Sequence, residues 1–196
     1  KFSAHSPAGS IENLTFGMPG LHNVENAIAA FAAVDQLGLS EDEIRNGFAS
    51  YKGVKRRFDV HINTEELVYI DDYAHHPTEI SACVNSVREL FPGRKVKGIF
   101  QPHLFSRTKD HMAEFAQTLS TLDEVTLLEI YPAREEPIDG ITSSALLEKI
   151  SAEKKNLQTK AAVLDSITRS NIDVLLTMGA GDIDQLVSPI KAKLLS

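Results

Sequence analysis

The sequence predicts an α/β protein, with a Rossmann-like, mostly parallel sheet, helices on both of its faces and an antiparallel edge. Two observations carry this. Apolar runs suited to buried strands occur at "ELVYI", "VKGIF", "VTLLEI" and "DVLLTMG", the first three spaced by about thirty residues, the size of one strand–helix–strand unit. Between them lie amphipathic stretches, with Ile80, Val84, Val87 and Leu90 on one face of the first and Met112, Phe115, Leu119 and Leu122 on one face of the second. Strand alternating with helix requires a parallel sheet covered on both sides, because each crossover lays its helix on a face.

Taken in order, "KFSAHSPAGSIENLTFGMPG" reads as late strands and turns of something that began earlier, so the chain is expected to be a piece of a larger protein. In "PGLHNVENAIAAFAAVDQLGLS", Val24, Ala27, Ile28, Phe31 and Val34 fall at helical spacing and Gly38 supplies a stop. A second short helix follows, with Ser40 as its cap, Glu43 three residues on as in a capping box, and Ile44 and Phe48 turned inward. "YKGVKRRF" breaks the pattern, and a boundary near Gly53 divides the chain into 1–54 and 55–196. Beyond it, "RRFDVHIN" alternates and pairs with "ELVYI" as a hairpin, giving the antiparallel edge.

Composition narrows the classes of function. Of 196 residues, 42% are hydrophobic and 24% charged, ordinary for a folded soluble protein, and enough chain for one domain with part of another. No apolar run reaches the length of a membrane span. Cys83 is the one cysteine, so no internal disulfide forms, and a reducing cytoplasm is the expected compartment. A net charge of −7 argues against general nucleic-acid binding, which needs a basic surface.

The reactive residues are not scattered. "DDYAHHP" follows the first long strand, "QPHLFSRT" the second, "YPAREEP" the third and "GAGDI" the last. Each sits at the carboxyl end of a strand, the edge that forms the ligand crevice of an open α/β sheet. Plainer readings stand beside each motif. Asp72 and His76 could merely cap the helix that Pro77 and Glu79 begin; Arg107 beside His103 could be a solvated helix start rather than a fork for carboxylate or phosphate; Asn23 could be an N-cap. "MGAGD" is a turn that lets backbone approach a ligand, weak by itself. His75 and His76 are neighbours without metal-ligand spacing, so a zinc site is disfavoured and no metal ligand is assigned. No phosphate-binding loop and no nucleophile elbow occur in the chain.

Taken together, "GLHNVENAIAA", "GVKRRFDV", "DDYAHHPTEI", "QPHLFSRT", "EIYPAREEP" and "GAGDI" resemble the Mur ligases of peptidoglycan synthesis, in the branch that joins L-alanine to UDP-N-acetylmuramate. The resemblance implies three domains, of which residues 1–54 would be the helical tail of the central ATPase domain and 55–196 the C-terminal, amino-acid-binding domain. It implies ATP-dependent amide formation through an acyl phosphate, with Mg2+ and most of the ATP held by the missing part of the central domain. The missing N-terminal and central domains would be partners in cis, and this piece alone would be inactive.

By resemblance, His22, Asn23, Asn26, Arg57 and Asp72 lie near the nucleotide. Tyr73, His75, His103 and Arg107 surround the alanine and the acyl phosphate, with His75 and Arg107 nearest the chemistry. Leu104 stands where many relatives carry a second basic residue. Two alternatives remain: the related ligase that attaches a ready-made tripeptide to the same UDP-sugar, and a non-catalytic nucleotide- or amino-acid-binding module.

Overall fold

The computed structural model describes residues 1–7, 9–18, 20–170 and 172–196, and of His22 the backbone alone. They form two units, Lys1–Lys55 and Arg56–Ser196. In the first, Phe2–Ser6 (β1) and Gly9–Leu14 (β2) make an antiparallel hairpin, followed by helices Leu21–Gln36 (α1) and Glu41–Ser50 (α2). Ala4, Leu14, Ala27, Phe31, Ile44 and Phe48 are its core.

Two expectations for this unit need correction. Helix α1 begins after Gly20, whose φ of 93° supplies the non-helical geometry, so Asn23 lies inside the first turn and is not the N-cap. Ile28 is 48% exposed, because it lies about 100° around the helix from the Ala27–Phe31 stripe that the core takes. The capping box of α2 forms as expected, with Glu43 N–H donating to Ser40 Oγ and Ser40 N–H donating to the Glu43 carboxylate at 2.8 Å.

The second unit holds Asp59–Asn63 (β3), Val68–Asp72 (β4), helix Pro77–Leu90 (α3), Val96–Phe100 (β5), and helices Phe105–Asp110 (α4) and Met112–Leu119 (α5). Glu124–Leu127 (β6), helix Ser143–Lys149 (α6), Lys154–Leu157 (β7), helix Lys160–Ser166 (α7) and Val174–Met178 (β8) follow, and a 3-10 turn, Asp182–Leu186, leads into helix Val187–Leu195 (α8). The sheet order is β3-β4-β8-β5-β6-β7; β3 runs antiparallel to β4 and every other pairing is parallel. Central strands β4 and β8 are buried along their whole length, which explains why they read as continuous apolar runs.

Apolar residues of α3, α5 and α6, among them Ile80, Val84, Phe115, Leu119 and Leu146, pack on one face of the sheet. On the other, Val163 and Ile167 from the α7 region join Ile183, Ile190 and Leu194. Both faces are thus covered, as the pattern requires. Strand β7 carries no sequence signal, because an edge strand reading Lys-Lys-Asn-Leu lacks the apolar run of a central one. The second amphipathic stretch begins with α5, and a short helix, α4, precedes it, the two separated by His111 at φ −117°. Among the described residues no helix is long and apolar enough to cross a membrane.

Candidate functional site at the carboxyl ends of the strands

Parallel β4, β8, β5 and β6 deliver their following loops to one edge, and hydrogen bonds between those loops hold them together. Gly179 N–H donates to Asp72 O at 3.2 Å, and Gln101 N–H to Met178 O at 3.0 Å. Leu104 N–H donates to Tyr131 O at 2.9 Å, and Tyr131 N–H to Pro102 O at 2.8 Å. The "GAGDI" turn is filled by protein. A Cβ at Gly181 would fall 2.5 Å from Gln101 Oε1 and 2.7 Å from Tyr131 Cβ. Gln101 Oε1 also accepts Ile183 N–H, and its Nε2 donates to Asp182, which Lys160 pairs. The close backbone approach that these glycines permit is to neighbouring loops.

Strand β4 ends in two buried acids with different jobs. Asp71, fully buried, accepts from Thr177 Oγ1 at 2.6 Å and Arg56 Nε at 3.2 Å. Asp72, 8% exposed, accepts Phe58 N–H and Ala74 N–H, each at 2.7 Å. Burial pushes both carboxyl groups above the usual carboxylate range; the bonds from Thr177 and Arg56 oppose this at Asp71, and the two N–H groups with Arg57 oppose it at Asp72. Asp72 therefore ties backbone, whereas helix α3 is capped by His76, whose Nδ1 accepts Thr78 N–H at 3.4 Å. Pro77 occupies the first turn, and Glu79 closes the capping box.

Beyond these acids the rim becomes a chain of rings and cations. Tyr73 meets His75 edge-on at 5.3 Å, His75 meets His103 at 6.2 Å, and His103 stacks on Tyr131 at 5.7 Å with planes 14° apart. Arg56 and Arg57 place their guanidinium carbons 5.0 and 5.5 Å from the Tyr73 ring centroid. Arg107 Nη1 reaches His103 Nδ1 at 3.2 Å. Leu104, between His103 and α4, sits at φ 72°, strained backbone for a branched residue. The Glu135 carboxylate, from the loop after β6, caps α4 by accepting from Ser106 N–H at 2.9 Å and from Ser106 Oγ, bonds that hold it below the usual range.

The hydrogen bonds fix the tautomers. His75 Nδ1 lies 2.9 Å from Tyr73 O, which can only accept, so Nδ1 carries the proton and Nε2 the lone pair. Arg107 can only donate, so His103 Nδ1 carries the lone pair and Nε2 the proton. Burial first, then the Arg107 guanidinium, lowers the His103 pKa, which favours the neutral ring. Glu79 ends below the usual range, because N–H bonds from His75 and His76 together with nearby cations outweigh its partial burial.

Of the expected site residues, Arg57, Asp72, Tyr73, His75, His103 and Arg107 share this edge of the second unit. Asn23 and Asn26 lie in the first turns of α1 in the first unit, and the side chain of His22 lies outside the described residues. Sequence reasoning passed over Arg56, Asp71, Gln101, Tyr131 and Glu135. A usable signal existed for Gln101 and Asp71, since each is a polar residue next to a fully apolar strand run and must find a buried partner.

Among the described residues no cluster of His, Cys, Asp or Glu could hold a metal ion. Carboxylates of this rim are committed to N–H, hydroxyl and guanidinium donors, so the donor set does not fit a magnesium cage.

A mostly parallel α/β sheet gathers imidazole, phenol and guanidinium groups at its carboxyl edge. Residues 56–181 match the family described as Mur ligase, glutamate ligase domain, and the chain belongs to that family. The UDP-N-acetylmuramate–L-alanine ligase of Cytophaga hutchinsonii is 53% identical over 179 residues, 91% of this chain and 38% of the relative. That of Porphyromonas gingivalis is 50% identical over 191 residues, 97% of this chain and 42% of the relative. Among solved structures, UDP-N-acetylmuramate–alanine ligase from Thermotoga maritima superposes with TM-score 0.73 at 27% identity, covering 97% of this chain and 44% of that one. A murein peptide ligase from Psychrobacter arcticus shares the fold, with TM-score 0.62 at 20% identity over 96% of this chain and 40% of that one. The chain thus spans about two fifths of the length of the curated relatives it matches.

Proposed function

We propose that the chain is the C-terminal portion of an ATP-dependent ligase that joins L-alanine to UDP-N-acetylmuramate in peptidoglycan synthesis, acting in the cytoplasm. Residues 1–54 are the tail of the central ATPase domain and 55–196 the amino-acid-binding domain, with the N-terminal and remaining central domains as partners in cis. The observation that carries this reading is the row Tyr73, His75, His103 and Arg107 on one edge, a neutral and cationic wall with its own acids tied away. The names and high identity of the relatives add to it.

In this reading the muramate carboxylate attacks the γ-phosphorus of ATP, the bond to the bridging oxygen breaks, and ADP leaves. The alanine amine then attacks the acyl phosphate, a C–N bond forms, and phosphate departs with the C–O bond pair. Such a reaction needs positioned donors and one proton acceptor more than a covalent nucleophile. His75 Nε2 carries the lone pair that can take the amine proton, while His103 Nε2–H can donate to the developing oxyanion. Arg107 receives the alanine carboxylate through its planar fork. Arg57, His22, Asn23 and Asn26 serve the nucleotide, and Asp72 does so by holding the turn that carries Arg57. Magnesium accompanies ATP on the preceding domain, and no step above passes through it.

The test is the full-length protein with UDP-N-acetylmuramate, ATP and a panel of amino acids and the recyclable tripeptide, read as phosphate release. L-Alanine-dependent turnover is expected, and none from this chain alone. Turnover with the tripeptide and not with alanine would assign the recycling ligase, and no turnover with any acceptor would leave a binding module.

A further inference from the structure

Arg57, the arginine assigned to the nucleotide, is flanked by two residues in left-handed backbone, Arg56 at φ 63° and Phe58 at φ 49°. Such a conformation is costly for residues with side chains and persists only where surroundings hold it. Here they do so on both sides. Phe58 is buried in the core, and its N–H is bound by Asp72. Arg56 is held at every polar group. Its N–H donates to Asp59 at 3.3 Å, and its carbonyl accepts Tyr73 N–H at 2.7 Å. Its Nε donates to Asp71 at 3.2 Å, its Nη2 to Gly179 O at 2.6 Å, and Nη1 lies 4.0 Å from Asp184. With its side chain 14% exposed and its charge matched by Asp71, Arg56 is not offered to a ligand.

Arg57, between these two anchors, is 53% exposed, and its one ion-pair partner among the described residues is Glu79 at 3.9 Å. Anchored neighbours around a half-exposed guanidinium are what a pre-set ligand contact requires, since a long side chain loses less freedom on binding when its backbone is already fixed.

We propose that Arg56 is a positioning residue: by locking its guanidinium across the ends of β4 and β8, it fixes the strained turn that presents Arg57 to the nucleotide. The proposal rests on the assignment of Arg57 to ATP made above. Lysine cannot replace it fully, because one ammonium cannot span the Asp71 carboxylate and the Gly179 carbonyl with the same fixed fork.

The experiment uses the full-length ligase with Arg56→Met, Arg56→Lys, Arg57→Ala and the double variant Arg56→Met/Arg57→Ala. Arg56→Met is expected to raise the ATP KM on the order of ten- to a hundredfold, with Arg56→Lys in between and the alanine KM little changed. In the Arg57→Ala background the further effect of Arg56→Met should vanish, because it acts through Arg57. Faster hydrogen exchange at the Phe58 and Tyr73 amides of Arg56→Met reads the loosened turn without reference to activity.

If Arg57→Ala raises the ATP KM while Arg56→Met leaves it alone, or if the two effects multiply independently, the positioning role is overturned and the assignment of Arg57 stands. Unchanged exchange at both amides also overturns it. If Arg57→Ala itself leaves the ATP KM unchanged, the assignment falls and takes the proposal with it.

Discussion

Tyr131 stacks on His103, with ring centroids 5.7 Å apart and planes 14° from parallel, although the two residues come from loops after different strands. Two backbone bonds, Leu104 N–H to Tyr131 O and Tyr131 N–H to Pro102 O, make that pairing rigid. His103 therefore has a flat wall to one side and the Arg107 guanidinium at its Nδ1. Tyr131→Leu removes the wall. An aromatic pair contributes about 0.5–1.5 kcal/mol beyond its area, so kcat/KM for alanine in the full-length ligase should fall by up to about tenfold. Tyr131→Phe should retain activity, since the ring does the work. Equal losses in the two variants would show that the hydroxyl matters instead.

Stability should carry the signature of the same imidazole. Burial first, then the Arg107 guanidinium, lowers the His103 pKa from its ordinary 6.5. The folded protein therefore resists protonation there more than the unfolded chain does. Its contribution is intact above the unfolded value and is lost as pH falls through the folded one. Urea midpoints of the 196-residue chain at pH 7 and pH 5 should differ more than those of His103→Asn, which cannot take up the proton. An identical pH dependence in both proteins would exclude the effect.

How much of this was legible in the sequence depends on burial. Strands β4, β5 and β8 announce themselves because a central parallel strand is apolar throughout, and the capping box at Ser40 and Glu43 is a local rule that tertiary contacts left alone. The row of loaded loops followed from strand direction alone. What stayed hidden were partners made at long range. Arg56 and Asp71 are 15 residues apart, and Asp71 and Thr177 are 106 apart. No periodicity links such pairs, so nothing local in "KRRF" distinguishes Arg56 from Arg57. The glycines of "GAGDI" misled in a related way, because their close approach serves Gln101 and Tyr131.

Asp72 offers a test of the scaffold beneath Arg57. Its two oxygens accept the N–H groups of Phe58 and Ala74. Asp72→Asn keeps the shape but turns an amide N–H toward one of those donors, leaving a buried bond unmade at a cost of about 1–3 kcal/mol. The urea midpoint of the chain should drop accordingly with an unchanged slope. In the full-length ligase the ATP KM should rise as well, since the same carboxylate holds the turn that carries Arg57. A midpoint equal to wild type would show that these bonds are dispensable to the fold.

On the proposed function, substitution of Arg107 should affect alanine and ATP differently. In a site whose acids are bound to backbone and hydroxyl groups, its guanidinium is the cation set closest to His103, and Leu104 contributes no second one. Deleting a charge-assisted carboxylate contact costs about 1.5–3 kcal/mol, so Arg107→Ala should raise the alanine KM about ten- to a hundredfold. The ATP KM should move far less. Arg107→Lys should recover only part of the loss, because an ammonium cannot grip a carboxylate with two parallel bonds while also donating to His103 Nδ1. That second loss has its own readout. Without the Arg107 charge the His103 pKa should move up toward its ordinary value, so the acid limb of the kcat profile should shift in Arg107→Ala relative to wild type. Parallel rises in both KM values with an unmoved pH profile would place Arg107 outside the alanine site.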